Sequence, residues 1–460
     1  MTRSIIDLMN AVQDMPTAIE IMALYAVSER QSALRPEVLH HAKRAVIDWY
    51  AALFAGNAMA PVLAMERALE DEIGTGKAVL VSGRQATIRA AAFLNGLGSH
   101  AAEVDDVFRE GIFHPGSPTI SAALALAQAE KSDGLSFIRA VVIGYEISTR
   151  ISALILRHHY KWWHTTGTVG CIGAAAASAA MLKLDSKQTV HAMATAVTFS
   201  AGLQQAFRSD SMTKPMHAGH AAEVGVTSAL GARHGLTGAA DILEGDAGFG
   251  AAMAGSPDWK MATQGLGRDY NITRMTQKNH CCCGQTFAAI DAALTLRNHY
   301  RFAPDDIKAV SIHTYQTALD VTGNYQSGTP AEARFSLPYV VAYALVHGSV
   351  RLAAFTESAL ADPQVKRIIK SSRMHASEEF NAVFPGKRCA RVEIELRDGR
   401  LISHDQMTRK GDPDCPLSDS ELADKFFELA VPVIGRSRAE KLLEKLWLLD
   451  KQDCMSQLLA

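Results

Sequence analysis

Residues 169–182 are mostly alanine and glycine, with Ala174, Ala175, Ala176 and Ala177 consecutive and Ala179 and Ala180 following after one serine. A helix of such small side chains is thin. It lets neighbouring helices approach closely, so it belongs in the middle of a helical assembly rather than on its surface. At fourteen residues of weak hydrophobicity it is also too short to cross a bilayer. The chain around it is therefore expected to be a helical body wrapped about residues 170–182.

The flanking pattern agrees. From Pro36 to Gly56, Val38, Leu39, Ala42, Val46, Trp49 and Leu53 fall on one helical stripe opened by proline and closed by glycine. Helical periodicity recurs at 86–97, 118–130, 135–156, 186–203 and 217–234, which predicts an all-helical first 240 residues. After Asp241 the run Glu244-Gly245-Asp246-Ala247-Gly248-Phe249-Gly250 and then Gly255-Ser256-Pro257 read as loop. Beyond it, 309–314 and 391–396 alternate apolar and polar residues as strands do. Asp398-Gly399 predicts a two-residue hairpin, and helices are expected at 286–300, 338–347 and 363–372. The capping box Ser418-Asp419-Ser420-Glu421 then opens a helix, with a last one near 438–449. The expected fold class is mainly α: a large all-helical domain formed by both chain ends, 1–269 and 406–460, plus a smaller inserted α+β domain, 270–405.

Composition narrows the partners. Forty-six lysines and arginines against 48 acids leave a net charge of −2, which offers no general attraction for nucleic acid or for an anionic membrane. Seven cysteines, three of them consecutive at 281–283, do not form a spaced disulfide framework and point to a reducing, cytoplasmic setting. The first residues carry Asp7 and Asp14 within their apolar pattern and lack the order of a signal peptide.

Four segments carry candidate chemistry. Lys214-Pro215-Met216-His217 at a helix start sets a cation and an imidazole where free backbone N–H groups are expected to hold a carboxylate; a surface lysine with a capping histidine is the plainer alternative. His100, Glu103, Asp105, Asp106 and His114 crowd three carboxylates and two histidines into fifteen residues, open to metal ligation, acid–base work or a solvated loop. His164 follows Trp162 and Trp163, which are expected to exclude water and tune the ring as a base, or else to form an aromatic core with it. His280 precedes Cys281-Cys282-Cys283, a spacing poor for zinc, and is placed to lean over a cleft at a domain edge. Arg208 and Arg334 are further carboxylate partners or surface arginines. Neither a phosphate-binding glycine loop, a G-x-S-x-G elbow nor an H-E-x-x-H pair occurs, which disfavours nucleotides and the common hydrolases.

In their order, His100 with Glu103-Val104-Asp105-Asp106, His114-Pro115, Trp163-His164-Thr165, Lys214-Pro215-Met216-His217, Asp246-Ala247-Gly248-Phe249-Gly250 and 278–283 resemble the MmgE/PrpD family over nearly the whole chain. That resemblance implies a helical domain with an α+β lid, a homodimer, no metal or organic cofactor, and a small polycarboxylate as substrate. It places His114, His164, Lys214 and His280 as catalytic groups, with Glu103 and Asp105 at an acidic edge and His217 and Arg208 toward the substrate. Dehydration of a hydroxy acid such as citrate or 2-methylcitrate is the expected reaction. In it His164 removes the proton, Lys214 and His280 hold the carboxylate, and His114 protonates the hydroxyl. Epimerisation of an aminopolycarboxylate such as iminodisuccinate is the first alternative; cis-aconitate-type decarboxylation or noncatalytic carboxylate binding is the second. Two positions depart from the family pattern. Glu103-Val104 stands where many members read Asp-Phe, and Leu319, with Tyr315 before it, stands where decarboxylating members carry a tyrosine.

Overall fold

The computed structural model describes residues 16–209 and 211–458; the segment bearing on the signal-peptide reading lies outside them. Contacts divide the chain into two compact units, residues 1–276 with 418–460, and residues 277–417.

The first unit begins with α1 (Ala18–Glu29), α2 (Pro36–Gly56) and α3 (Ala60–Ala68). A hairpin follows, β1 (Ile73–Val79) with β2 (Gln85–Ala86), then α4 (Ile88–Ala101), α5 (Gly116–Ala129), α6 (Gly134–His159), α7 (Thr165–Met181), α8 (Ser186–Thr198) and α9 (Met216–Arg233). The all-helical expectation for this stretch is thus corrected by the small β1–β2 hairpin. Its strand, rich in glycine and exposed along most of its length, carries no apolar alternation to reveal it. The alanine helix α7 is buried at every residue and packs against α5, α6, α8 and α9. Its thinness is used: a Cβ on Gly225 of α9 would come within 2.4 Å of the Ala174 Cβ, so the two backbones meet with almost nothing between them.

The second unit contains α10 (Phe287–Tyr300), β3 (Ile307–Thr314), α11 (Leu337–His347), α12 (Pro363–Lys370), β4 (Ser372–Ala376), β5 (Ala390–Leu396) and β6 (Leu401–Gln406). The sheet order is β4-β3-β5-β6, with β3 and β4 parallel and the other pairs antiparallel. Val310, Ile312, Val392, Ile394 and Leu396 are buried on the face that α10 and α12 cover. β4 was not legible in sequence because Ser-Arg-Met-His-Ala has a single apolar side chain of any size beside its alanine. The β5–β6 connection is longer than the two-residue turn expected. Leu396 N donates to Arg400 O and Gly399 N to Leu396 O, so three residues form the loop, with Gly399 at φ 90° supplying the left-handed bulge.

The chain then returns to the first unit with α13 (Asp419–Ile434), opened by the reciprocal Ser418–Glu421 capping box, and α14 (Arg436–Trp447). α13 packs on α2, so the two ends of the chain share one core. Among the described residues no single helix is long and apolar enough to cross a membrane.

Candidate active site

Within the first unit, four helix ends converge. His100 lies in the last turn of α4, and the loop after it carries Glu103, Asp105 and Asp106. His114 stands before α5, His164 is the residue that caps α7, and His217 lies in the first turn of α9, three residues after Lys214.

The acidic loop is tied inward. Asp105 Oδ2 is 2.8 Å from His100 Nδ1 and accepts from Ser117 Oγ at 2.9 Å, while His114 Nδ1 lies 3.3 Å away at ion-pair distance. His100, Asp105 and His114 are all buried. Asp106 Oδ1 accepts from the Gly116 amide at 3.2 Å and Oδ2 from the Tyr145 hydroxyl at 2.7 Å. Gly116 is required there, since a Cβ would sit 2.7 Å from both Asp106 Oδ1 and the Tyr145 hydroxyl. Burial first, and then the charge of Asp48, pushes the Asp106 carboxyl up to about 8. It is therefore mostly neutral at pH 7. The backbone at Glu103 (φ 58°) and at the β-branched Ile112 (φ 43°) is left-handed, a strained geometry on both sides of the acids.

The imidazoles form a stack. The His100 and His164 rings lie 5.5 Å apart and inclined by 23°, with His114 edge-on to His100 at 4.7 Å. His164 Nδ1 is 3.0 Å from His217 Nδ1. Burial, followed by neighbouring His100 and Lys214, holds His164 well below the ordinary histidine value, and the same causes take His217 down to about 4. Both rings are neutral at pH 7. A bond between two Nδ1 atoms then requires opposite tautomers: the donor ring has a bare Nε2, and the acceptor ring carries its proton on Nε2. One half is a base and the other an acid. Lys214 is ion-paired with Glu103 beside them.

Several expectations are corrected here. The free N–H groups expected at the α9 start are used locally, because Met216, His217 and Ala218 donate to the Thr213, Lys214 and Pro215 carbonyls at 3.1–3.2 Å. Recognition at this end thus falls to side chains. Trp162 is 59% exposed and lies under Lys161, so it does not dry the His164 site. Trp163 instead stacks near His159. His159 itself donates from Nδ1 to the Met253 carbonyl and receives the Thr168 hydroxyl on Nε2, bracing the first turns of α7. Arg208 is exposed and donates to the Lys161 carbonyl.

His280 belongs to the second unit, where its Nε2 is 2.9 Å from Asp291 Oδ1 and its ring meets Phe287 edge-on. Beside it Cys281 and Cys282 are buried, and burial pushes the Cys282 thiol up, opposite to what a nucleophile needs. Arg334 is buried in the same unit with its guanidinium over Phe355.

By separation alone His100, Asp105 and His114 could gather about a metal ion, their donor atoms lying within 4.8 Å of one another. The His100–Asp105 contact is a direct hydrogen bond, however, and Ser117 shares the same oxygen. A proton relay accounts for those contacts without an ion.

Sequence reasoning missed Asp48, Tyr145, Ser117 and Lys425. The signal for two of them was present: Asp48 sits among Val46, Ile47, Trp49 and Tyr50 on a buried stripe, and Lys425 sits between Leu422 and Phe426. A lone charge on each of two apolar faces, opposite in sign, suggests a buried pair.

The MmgE/PrpD N-terminal domain matches residues 20–262 and the MmgE/PrpD C-terminal domain residues 280–450. The chain is 28% identical over 458 residues, 94% of each protein, to the cis-aconitate decarboxylase-like protein oryM of Aspergillus oryzae. It is also 28% identical to the cis-aconitate decarboxylases of Mus musculus and Homo sapiens, over 79% of this chain and 76% and 77% of theirs.

Proposed function

Since this chain belongs to the MmgE/PrpD family, we propose that it is a lyase that removes a proton from carbon α to a carboxylate of a small polycarboxylate, dehydrating a citrate-like hydroxy acid. The observation that carries this reading is the neutral His164–His217 pair. A base for a carbon acid must be unprotonated at working pH and held in place, and burial of His164 accomplishes both.

The proton passes from the α-carbon to the His164 ring. Negative charge then spreads onto the adjacent carboxylate, where the Lys214 ammonium, kept close by Glu103, stabilises it. The C–O bond breaks as His114 gives a proton to the departing hydroxyl. Asp105 Oδ2 lies 3.3 Å from His114 Nδ1, on the ring that gives this proton. Water and an alkene leave with His164 carrying the substrate's proton and His114 short of one, and transfer of a proton from His164 to His114 through solvent restores both rings. His280, held by Asp291, is a further candidate group that His280→Ala tests separately.

A second reading is decarboxylation of a cis-aconitate-type acid, favoured by the names of the relatives in Aspergillus oryzae, mouse and human. There the same histidines deliver a proton to carbon as carbon dioxide departs. Incubation with citrate, 2-methylcitrate, cis-aconitate and iminodisuccinate, with mass balance on the products, separates these. Loss of water supports the dehydratase and release of carbon dioxide the decarboxylase. An inverted centre at unchanged mass would replace both with an epimerase, and no change in any compound would remove the catalytic reading.

A further inference from the structure

Lys425 and Asp48 form an ion pair in the core of the first unit, Nζ to Oδ1 at 2.6 Å, with both side chains fully buried. Asp48 lies on α2 and Lys425 on α13, so the pair joins segments far apart in the chain. Helix packing alone does not call for it. Two charges taken from water into a core commonly stabilise less than apolar side chains of the same volume. Phe54 and Phe426, which meet edge-on at 6.3 Å across the same helices, show that this contact accommodates apolar groups.

The ammonium also makes a second bond, to the Val104 carbonyl at 2.8 Å. Val104 lies between Glu103, which holds Lys214, and Asp105, which gathers His100, His114 and Ser117. It is fully buried, in a loop whose preceding residue is in the left-handed region. A buried loop carbonyl must find a donor, and a strained one needs an anchor from outside the loop. Asp48 Oδ2 has no hydrogen-bond partner among the described residues, so the carboxylate serves the lysine and little else.

We propose that Lys425, clamped by Asp48, is a positioning residue: it fixes the Val104 backbone and thereby sets both the Glu103–Lys214 pair and the Asp105-centred histidine relay in register. Helix α13, from the end of the chain opposite α2, is thus a working part of the site. This rests on the proposed reaction for its kinetic consequence but not for its geometric one.

The test uses the full-length protein with Lys425→Met, Lys425→Arg and the uncharged Asp48→Leu/Lys425→Leu, each followed by thermal melting, steady-state kinetics and 15N-histidine NMR. Lys425→Met is expected to lower kcat by ~10-fold or more with KM within ~3-fold, and to move the His100 and His114 ring resonances. Lys425→Arg, which keeps a donor, is expected to recover part of kcat. The double variant is expected to melt near the wild type while kcat stays low, and it replaces Lys425→Met should that variant fail to fold. A double variant with wild-type kcat and unshifted ring resonances would overturn the proposal and leave a purely structural ion pair. Should the wild-type protein turn over none of the polycarboxylates, the reaction is wrong. The ring resonances then still decide: shifted in the double variant, they support positioning; unshifted, they refute it.

Discussion

His164 and His217 face each other through their Nδ1 atoms at 3.0 Å, and both rings are neutral at pH 7. The bond makes them a unit: when the bare Nε2 takes up a proton, the bridging proton crosses to the other ring and that ring's Nε2 releases its own, so the two rings exchange roles. A pair of this kind accepts a proton and donates one without any change in net charge, which suits a buried site beside Lys214.

The first consequence is non-additivity. His164→Ala and His217→Ala should each lower kcat/KM by roughly 100-fold or more, and the double variant should be little worse than the more damaging single one. Independent losses that multiply would show that the two rings do not act together. Circular dichroism and melting of each variant must match the wild type for the comparison to hold.

Acid should inactivate the enzyme well below pH 6.5, because both rings of the pair are depressed from that value, His217 to about 4. Stability follows the same sign. His159 and His217 have folded values below their unfolded ones, so the unfolded chain binds more protons between about 4 and 6.5. Their contribution is complete above pH 6.5 and is lost as pH falls toward 4. For His159 the loss is on the order of 3 kcal/mol. Denaturant melts at pH 7.5 and pH 5 should differ in that direction, and His159→Gln should flatten the difference.

Asp106 titrates in the opposite sense. Its folded value of about 8 lies above the ordinary 3.8, so the folded protein holds the extra proton and this group's contribution declines as pH rises from about 4 to 8. Asp106→Asn should therefore gain on the wild type with rising pH, by about 1 kcal/mol per unit at most across that window. Equal pH dependence in the two proteins would mean that Asp106 is ionised in the fold.

Lys214 is expected to read the substrate's carboxylate. Lys214→Met should raise KM by ~10-fold or more, and by more at low ionic strength than at high, because salt screens the contact that is lost. Glu103→Gln, which releases the lysine from its partner, should affect kcat more than KM, since the ammonium remains but its position is no longer held. The kcat and KM values of the two variants, measured at two salt concentrations, check both.

How far sequence carried the account depends on where each feature takes its stabilisation. The helices α2, α5, α6, α7 and α9 were legible because one buried face leaves a 3.6-residue record, and the Ser418–Glu421 box because its chemistry is local. The ends moved by a few residues; the 186–203 run stops at Thr198, where the chain turns back toward His164. β1 and β4 were missed because short exposed strands rely on pairing with distant partners. In the candidate site, His100, Asp105, His114, His164, Lys214 and His217 come together in one unit, while the contact that joins His164 to His217 has no counterpart in spacing. Asp48 and Lys425 each show in sequence as a lone charge on an apolar face, but their contact forms only when α13 packs on α2.

The most direct test of the central claim is proton NMR in D2O of the wild-type protein and of His164→Ala with each polycarboxylate at saturating concentration. The account predicts an α-hydrogen that exchanges or is lost as an alkene forms with the wild type, and neither process with a folded His164→Ala. Turnover by His164→Ala at the wild-type rate, or a wild-type protein that leaves every α-hydrogen in place, would contradict it.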